Sequence, residues 1–394
     1  MTPFFLLALP MFAVGPGIFQ NRAATPKMLS IAIGLTLLLG NHMKRRAAAH
    51  VPAFAFFGAC LMSWVFAADK WAAFAGAPKA PYYGLFGVAL VILAYIGSTE
   101  LYEAEDVERT LEIAGAVMGA IALVQIATGH TFNGMPFQNG RASGMRYSPV
   151  MMAASLVPCF LAAWHRYRST WWENGYGRVL SMLLILGGMA AARAKGAFVA
   201  LLVGVWVYET SGFMRWAGFA AAWSMVNGFI QRSGVEQERV ELLKIAWKSF
   251  RQHPLLGWGP DNFLYALMAN RTPAYDALVG PRSGQASAHQ DLAQVAATLG
   301  LAGLGAYLAT LWKLFTALWS DGLAPAVLCA MLVQAQINPL PTDVLVVVAV
   351  ILGSRQLSSE GCIRIPSWVA PAVMAAAVVL ALQDLTPWAR GLGH

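Results

Sequence analysis

Charge is scarce in this chain. Asp, Glu, Lys and Arg make up 12% of its 394 residues, against 58% hydrophobic residues, and a soluble protein carries roughly twice that share of charge. Together with 14 tryptophans and a mean hydropathy of +0.56, this excludes a water-soluble core and identifies a polytopic membrane protein. Acidic residues are scarcer than basic ones, 19 against 27. In a membrane protein such an excess reflects Lys and Arg held in cytoplasmic loops, so nucleic-acid binding is set aside. Cysteine is sparse. Cys60, Cys159, Cys329 and Cys362 are scattered, three of them in apolar runs, and form neither a CxxC nor a Cys/His cluster, which excludes a zinc site and a disulfide framework and leaves them as small core residues. The sequence has no GxxxxGK[ST], HExxH or GxSxG pattern and no acid pair suited to a divalent metal on the side opposite the basic loops, so the chemistry it carries is expected to be metal-free and to need no cofactor. No cleavable signal is evident. The first apolar run reads as a first span.

What is present is a succession of apolar runs, at about 3–19, 28–43, 51–68, 82–99, 108–127, 148–164, 178–192, 196–209, 213–230, 291–312, 323–338, 341–354 and 366–384. They predict an all-α protein with about 12–13 transmembrane helices, in which the pair around Ile337–Thr342 is a hairpin or one broken helix. The organisation expected is an N-terminal transmembrane bundle over 1–230, a loop with amphipathic helices over 231–290, and C-terminal transmembrane helices over 291–394. Basic clusters at Lys44-Arg45-Arg46, His165 to Arg168, Arg355 and Arg364 are assigned to the cytoplasm with the N-terminus. Residues 129–147, 193–196 and 231–290 then face the other way, and the acidic run Glu100 to Glu108 lies inside.

The large loop carries VEQERVELLKIAWKSF, Val235 to Phe250, in which Val240, Leu243, Trp247 and Phe250 recur at helical spacing. Arg239 stands four, eight and eleven positions before three of them, on the apolar side. That position suits either a snorkelling or ion-paired arginine, or an anion site in which a planar fork of donors meets a phosphate at the membrane interface. RQHPLLGWGPDNF, Arg251 to Phe263, reads as a compact structural turn with His253 at the surface. Ser287 followed by Gln290 is a capping-box signature, so a helix is expected to start there with His289 in its first turn. The positive end of that helix would help to hold His289 neutral, the form that accepts a proton; a polar residue at a helix entrance is the plainer alternative. Arg193 and Lys195 lie in a short turn between two spans, and Arg141 and Arg146 just before another. Headgroup anchoring explains such cations, and so does a receptacle for a pyrophosphate. WWENGYG, Trp171 to Gly177, is similar to a signature of asparagine-linked oligosaccharyltransferases, but it falls in an expected cytoplasmic loop and is set aside.

These residues resemble the O-antigen ligases and the related O-antigen and exopolysaccharide polymerases of bacterial inner membranes. Arg239 to Leu243 resembles the ligases' Arg-x3-Leu element. His289-Gln290 followed by Gly300 and Gly303 resembles their His-[Asn/Ser/Gln]-x9-Gly-x-x-[Gly/Thr/Tyr] element, and HPLLGWGPDNF and GRASGMRYSP resemble two further family segments. The resemblance covers about residues 139–355. It implies a fold of the C-type glycosyltransferase kind with a large periplasmic helical loop, in the bacterial inner membrane. It also implies a glycan donor on undecaprenyl pyrophosphate. His289 and Arg239 would be the catalytic pair, with Lys195, Arg193, Arg141 and Arg146 binding pyrophosphate. The family's Ser-Arg-Gly is replaced by Ala194-Lys195-Gly196, which leaves open whether Lys195 or Arg193 meets the phosphate. The acceptor expected is the lipid A-core, for a ligase, with a glycan chain end (a polymerase) or a protein hydroxyl as alternatives. A lipid-linked glycan transporter or flippase is the reading outside enzymes, and it would require charges buried mid-span and internally repeated halves.

Overall fold

The computed structural model describes residues 4–13, 24–39, 44–46, 50–77, 82–99, 103–130, 137, 140–146, 148–169, 171–230, 237–281, 283–356 and 362–385. A π-helical turn, Phe4–Ala8, runs into α1, Leu9–Phe12, and is followed by α2, Ala24–Leu39, α3, His50–Val65, α4, Lys70–Ala75, α5, Leu85–Ser98, and α6, Ala104–Thr128. Four helices follow: α7, Pro149–Ser169, α8, Trp171–Ala192, α9, Lys195–Glu209, and α10, Gly212–Ile230. The loop carries α11, Gln237–Gln252, α12, Phe263–Asn270, and α13, Pro273–Val279. The chain closes with α14, Asp291–Leu318, α15, Leu323–Ile337, α16, Thr342–Ser354, and α17, Val369–Gln383. Uniformly apolar composition is the reason for most of these helices, because a segment with no water to bond must satisfy its backbone internally. Helix α6, residues 175–192 of α8, and α14 are long and apolar enough to cross a membrane, and α2, α3, α5, α15, α16 and α17 are shorter apolar helices. The chain is an all-α polytopic membrane protein. Trp171 to Gly177, expected in a loop, forms the first turns of α8.

Polar contacts sort the helix ends into two sets. At one end the strand β1, Lys44–Arg46, pairs antiparallel with β2, Cys362–Arg364, with Lys44 opposite Arg364. There too Arg166 pairs with Glu105 and Glu112, Arg168 with Glu209, and Arg355 with Glu108 and Asp321. The glutamates in the first turns of α6 thus pair with the basic residues that their acidic run was expected to sit beside. Because Arg355 follows α16 and Asp321 precedes α15, those two helices go out and come back, and Ile337–Thr342 is their turn at the far end. Likewise Arg178 of α8 donates to the Arg166 carbonyl while Glu209 closes α9, so the Arg193 turn lies at the far end as well.

Helix α14 is broken. Gly300 has φ 64° and ψ −161°, outside helical geometry, and the turn from Pro254 to Gly259 fills the break. The N–H groups of Trp258 and Gly259 donate to the carbonyls of Ala297 and Thr298, and those of Leu301 and Ala302 donate to Pro254 and Leu255. One half of the helix has its last carbonyls covered and the other half its first amides, which a helix end otherwise leaves unpaired. An unpaired buried backbone group costs about 1–3 kcal/mol, so the turn is a condition of the break. A side chain at Gly257 would lie 2.2 Å from the Thr298 carbonyl carbon and one at Gly300 would lie 2.4 Å from that of Leu255. Ser63 at the end of α3 adds a hydroxyl to the carbonyls of Leu256 and Thr298. Cys60, Cys159 and Cys329 are buried free thiols, core residues as composition predicts.

Gly300→Ala is expected to lower the thermal unfolding midpoint of the full chain in detergent by about 2 °C or more, since an L-residue forced into the essentially glycine-only region that Gly300 occupies costs about 1–3 kcal/mol. An unchanged midpoint would show that the break is not held by this contact.

Candidate active site

Helix α11 brings Arg239 to the site, but its buried stripe is not the one that spacing predicts. Glu241, Leu242, Ile245, Ala246 and Ser249 are buried, whereas Trp247 is 62% exposed and Val240, Leu243 and Phe250 are half-buried. On the buried side Glu241 accepts from Thr272 Oγ1 at 2.8 Å and from Lys244 Nζ, one turn along the same helix, at 2.6 Å. Leu242 and Ile245 join Phe263, Leu267, Tyr275 and Ala297 in a second hydrophobic core beside the membrane helices. Arg239 therefore sits half-buried on the flank of the helix. Its neighbour Glu238 accepts from Gln285 Nε2 at 3.0 Å, which ties the first turn of α11 to the segment that carries His289.

His289 lies outside the helix that was expected to hold it. The N-cap of α14 is Gln290, whose side chain accepts from the Ala293 amide at 2.9 Å, and Gln294 reaches back to accept from the Ala288 amide at 2.8 Å. The cap thus falls three residues after Ser287, because the amide of Gln290 has the reach to bond its own third helical residue. His289 precedes it with φ 53°, a strained value for an L-residue of the kind that clusters at functional sites. Its Nδ1 lies 2.6 Å from Asn338 Oδ1. An amide oxygen only accepts, so Nδ1 carries the proton and the Nε2 lone pair is left for another partner. Burial holds the imidazole pKa below its ordinary 6.5. The Arg239 charge adds to that effect, while the Asn338 hydrogen bond and Glu238 oppose it. The neutral form thus comes from burial and a neighbouring cation, where the sequence pointed to the helix terminus.

The remaining cations are placed around the far ends of α7, α8 and α9. Arg141 is half-buried and its Nε donates to the Ala192 carbonyl at 2.9 Å, while the Ala142 amide donates to Ala191 at 3.0 Å. These bonds fasten the 140–146 segment to the Arg193 turn. Arg193, with φ 49°, and Lys195, the first residue of α9, are exposed. Gly196 packs against Ile337, the residue before Asn338, so the Arg193 turn and His289 both meet the turn between α15 and α16. Arg146 is different: only 2% exposed, it pairs with Asp343 at the start of α16. Its Nε and Nη2 have no hydrogen-bond partner among the described residues. The structure thus puts Arg239 close enough to His289 for its charge to act on the imidazole, leaves Arg141, Arg193 and Lys195 at the same end of the molecule, and turns Arg146 inward.

Several residues that organise the site escaped the sequence reading. Asn338 is one, and its signal was a lone polar residue before a proline between two apolar runs. Asp261 is another. It accepts from the amides of Ala77, Tyr82, Tyr83 and Gly84 at 2.8 to 3.1 Å, fixing the start of α5 against the turn that fills the α14 break; burial raises its pKa even against four donors. Asp291, fully buried, accepts from the phenols of Tyr83 and Tyr307. Beyond these tyrosines an apolar cavity of about 150 Å³ runs among α3, α5, α14, α15 and α16, from Tyr82, Tyr83 and Leu340 to Tyr95 and Leu352.

Residues 142–308 match the family model described as O-antigen ligase. The matched segment holds Arg146, Arg193, Lys195, Arg239, His289 and both glycines that frame the α14 break, and it ends one residue after Tyr307. No curated protein matches the chain. The similarity to the O-antigen ligase family thus rests on the 142–308 segment, somewhat less than half of the chain.

Proposed function

We propose that the protein moves a glycan from undecaprenyl pyrophosphate to an acceptor sugar hydroxyl, with inversion, without a metal, and with the lipid A-core as acceptor. The observation that supports this reading most is that His289, held by Asn338, and the first turn of α11, tied through Glu238 to Gln285, lie at the end of the molecule away from the paired basic segments, with the Arg239 charge acting on the imidazole. If those segments face the cytoplasm, the pair faces the periplasm of a bacterial inner-membrane protein. In this division the helices of 1–230 and 291–394 hold the lipid-facing scaffold and 231–290 is the periplasmic loop.

The acceptor O–H gives its proton to Nε2 of His289 as its oxygen attacks the anomeric carbon. The bond from that carbon to the pyrophosphate oxygen breaks, and its electron pair leaves with the diphosphate. Arg239 compensates the charge on the leaving group as it develops, where a fixed cation in a dry site is most effective, and Arg141, Arg193 and Lys195 hold the phosphates. Arg146, locked to Asp343, supports the turn that presents Asn338. The carrier's hydrocarbon tail enters past α11 and the apolar span faces, into the cavity beyond Tyr83. Charges such as Arg146 and Asp343 are paired with each other, which favours transfer over transport, and a polymerase acting on a glycan chain end uses the same steps with another acceptor.

His289→Ala and Arg239→Ala are each expected to lower transfer from a purified lipid-linked glycan by at least about 100-fold while the protein stays folded, and chelators are expected to have no effect. Undiminished turnover in both variants would show the roles to be misassigned. The imidazole of His289, followed by NMR, is expected to titrate with a midpoint below 6.5. Arg239→Gln removes a lowering charge and so moves the midpoint up, and Asn338→Ala removes a raising hydrogen bond and moves it down. Shifts of the opposite sign would contradict the arrangement.

A further inference from the structure

Asp291 and Tyr307 are sixteen residues apart on what the chain numbers as one helix, yet Tyr307 Oη donates to Asp291 Oδ2 at 2.6 Å. In an unbroken helix the two positions would be separated by a rise of about 24 Å, far beyond the reach of a carboxylate and a phenol. The bond exists only because α14 folds back at Gly300. The other oxygen, Oδ1, accepts from the phenol of Tyr83, whose own amide is held by Asp261 Oδ1 at 2.9 Å. The rings of Tyr83, Tyr307 and Phe56 pack around the cluster, with centroids 5.7 to 6.3 Å apart. One fully buried carboxyl therefore ties together the start of α5, both halves of α14 and, through Asp261, the turn that fills the break.

The same carboxyl stands two residues after His289, separated from it only by the N-cap Gln290. A left-handed His289 is fixed from one side by Asn338 and from the other by the direction in which α14 leaves it. That direction is set by Asp291. We propose that Asp291, clamped by Tyr83 and Tyr307, is the positioning residue of the site: it holds the broken helix in the one arrangement that points the His289 ring at Asn338 on one nitrogen and at the acceptor on the other. It touches neither reactant. The proposal rests on the transfer reading for its kinetic consequence, but its structural consequence stands without that reading.

The test uses the full chain in lipid nanodiscs, with Asp291→Asn and Tyr307→Phe as separate variants, so that one remains informative if the other does not fold. Three quantities are measured: the unfolding midpoint, the ring ¹⁵N resonances of His289 assigned by comparison with His289→Gln, and kcat and KM for transfer from a lipid-linked glycan. The expected result is folded protein whose His289 resonances are displaced, with kcat lowered about tenfold or more, as small misplacements of a reacting group produce, and KM within about twofold. A lowered midpoint with wild-type His289 resonances and wild-type kcat would overturn the proposal, leaving the cluster a purely structural clamp. Displaced resonances in a protein whose wild type transfers nothing would leave the positioning intact and remove the transfer reading instead.

Discussion

A helix interrupted inside a membrane protein exposes carbonyls and amides that have no water to turn to. Everything at the candidate site follows from how this chain meets that constraint. The Pro254–Gly259 turn lends its backbone to both sides of the Gly300 break, and in doing so it fixes where the large loop must dock. Helix α11 is carried on that loop, so the turn also fixes where Arg239 arrives. The first half of α14 is short and redirected, so His289 is delivered to the end of the α15–α16 turn, within bonding distance of Asn338.

The electrostatics are sorted along the same axis. At one end basic clusters are met by the glutamates of α6 and by Asp321, pair by pair. At the other, Arg193 and Lys195 remain exposed and Arg141 is half-buried, and His289 is kept below its ordinary pKa by burial and by Arg239. A concentration of cations around a neutral imidazole is a poor site for holding another cation and a good one for compensating a diphosphate as it leaves.

Much of this was legible in the residues. Uniform apolar runs announce helices wherever they fall, and the order of basic clusters assigns them to two ends, because each rests on composition alone. The Gly300 and Gly257 positions were legible as motif glycines. What they do was not, since a helix break filled by a distant turn is a long-range backbone contact with no local signature. The buried face of α11 was read one position out, because Leu242 and Ile245 pack into the loop's own core and Glu241 finds a partner in Thr272, distant contacts that the spacing of Val240, Leu243, Trp247 and Phe250 does not reveal. The helix start at Ser287 failed for a related reason: Gln290 caps with its own amide, and its length lets it do what serine usually does. Asn338, Asp291 and Tyr83 come from segments far apart in sequence, and only the fold shows that they meet.

The most direct test of the account is a cryo-EM map of the full chain with a polyprenyl pyrophosphate bound. The account predicts diphosphate density between Arg239 and the Arg193 turn, within reach of His289, with the chain running past Tyr83. Density for the diphosphate at the opposite end, among Arg166, Arg168 and Arg355, would contradict it.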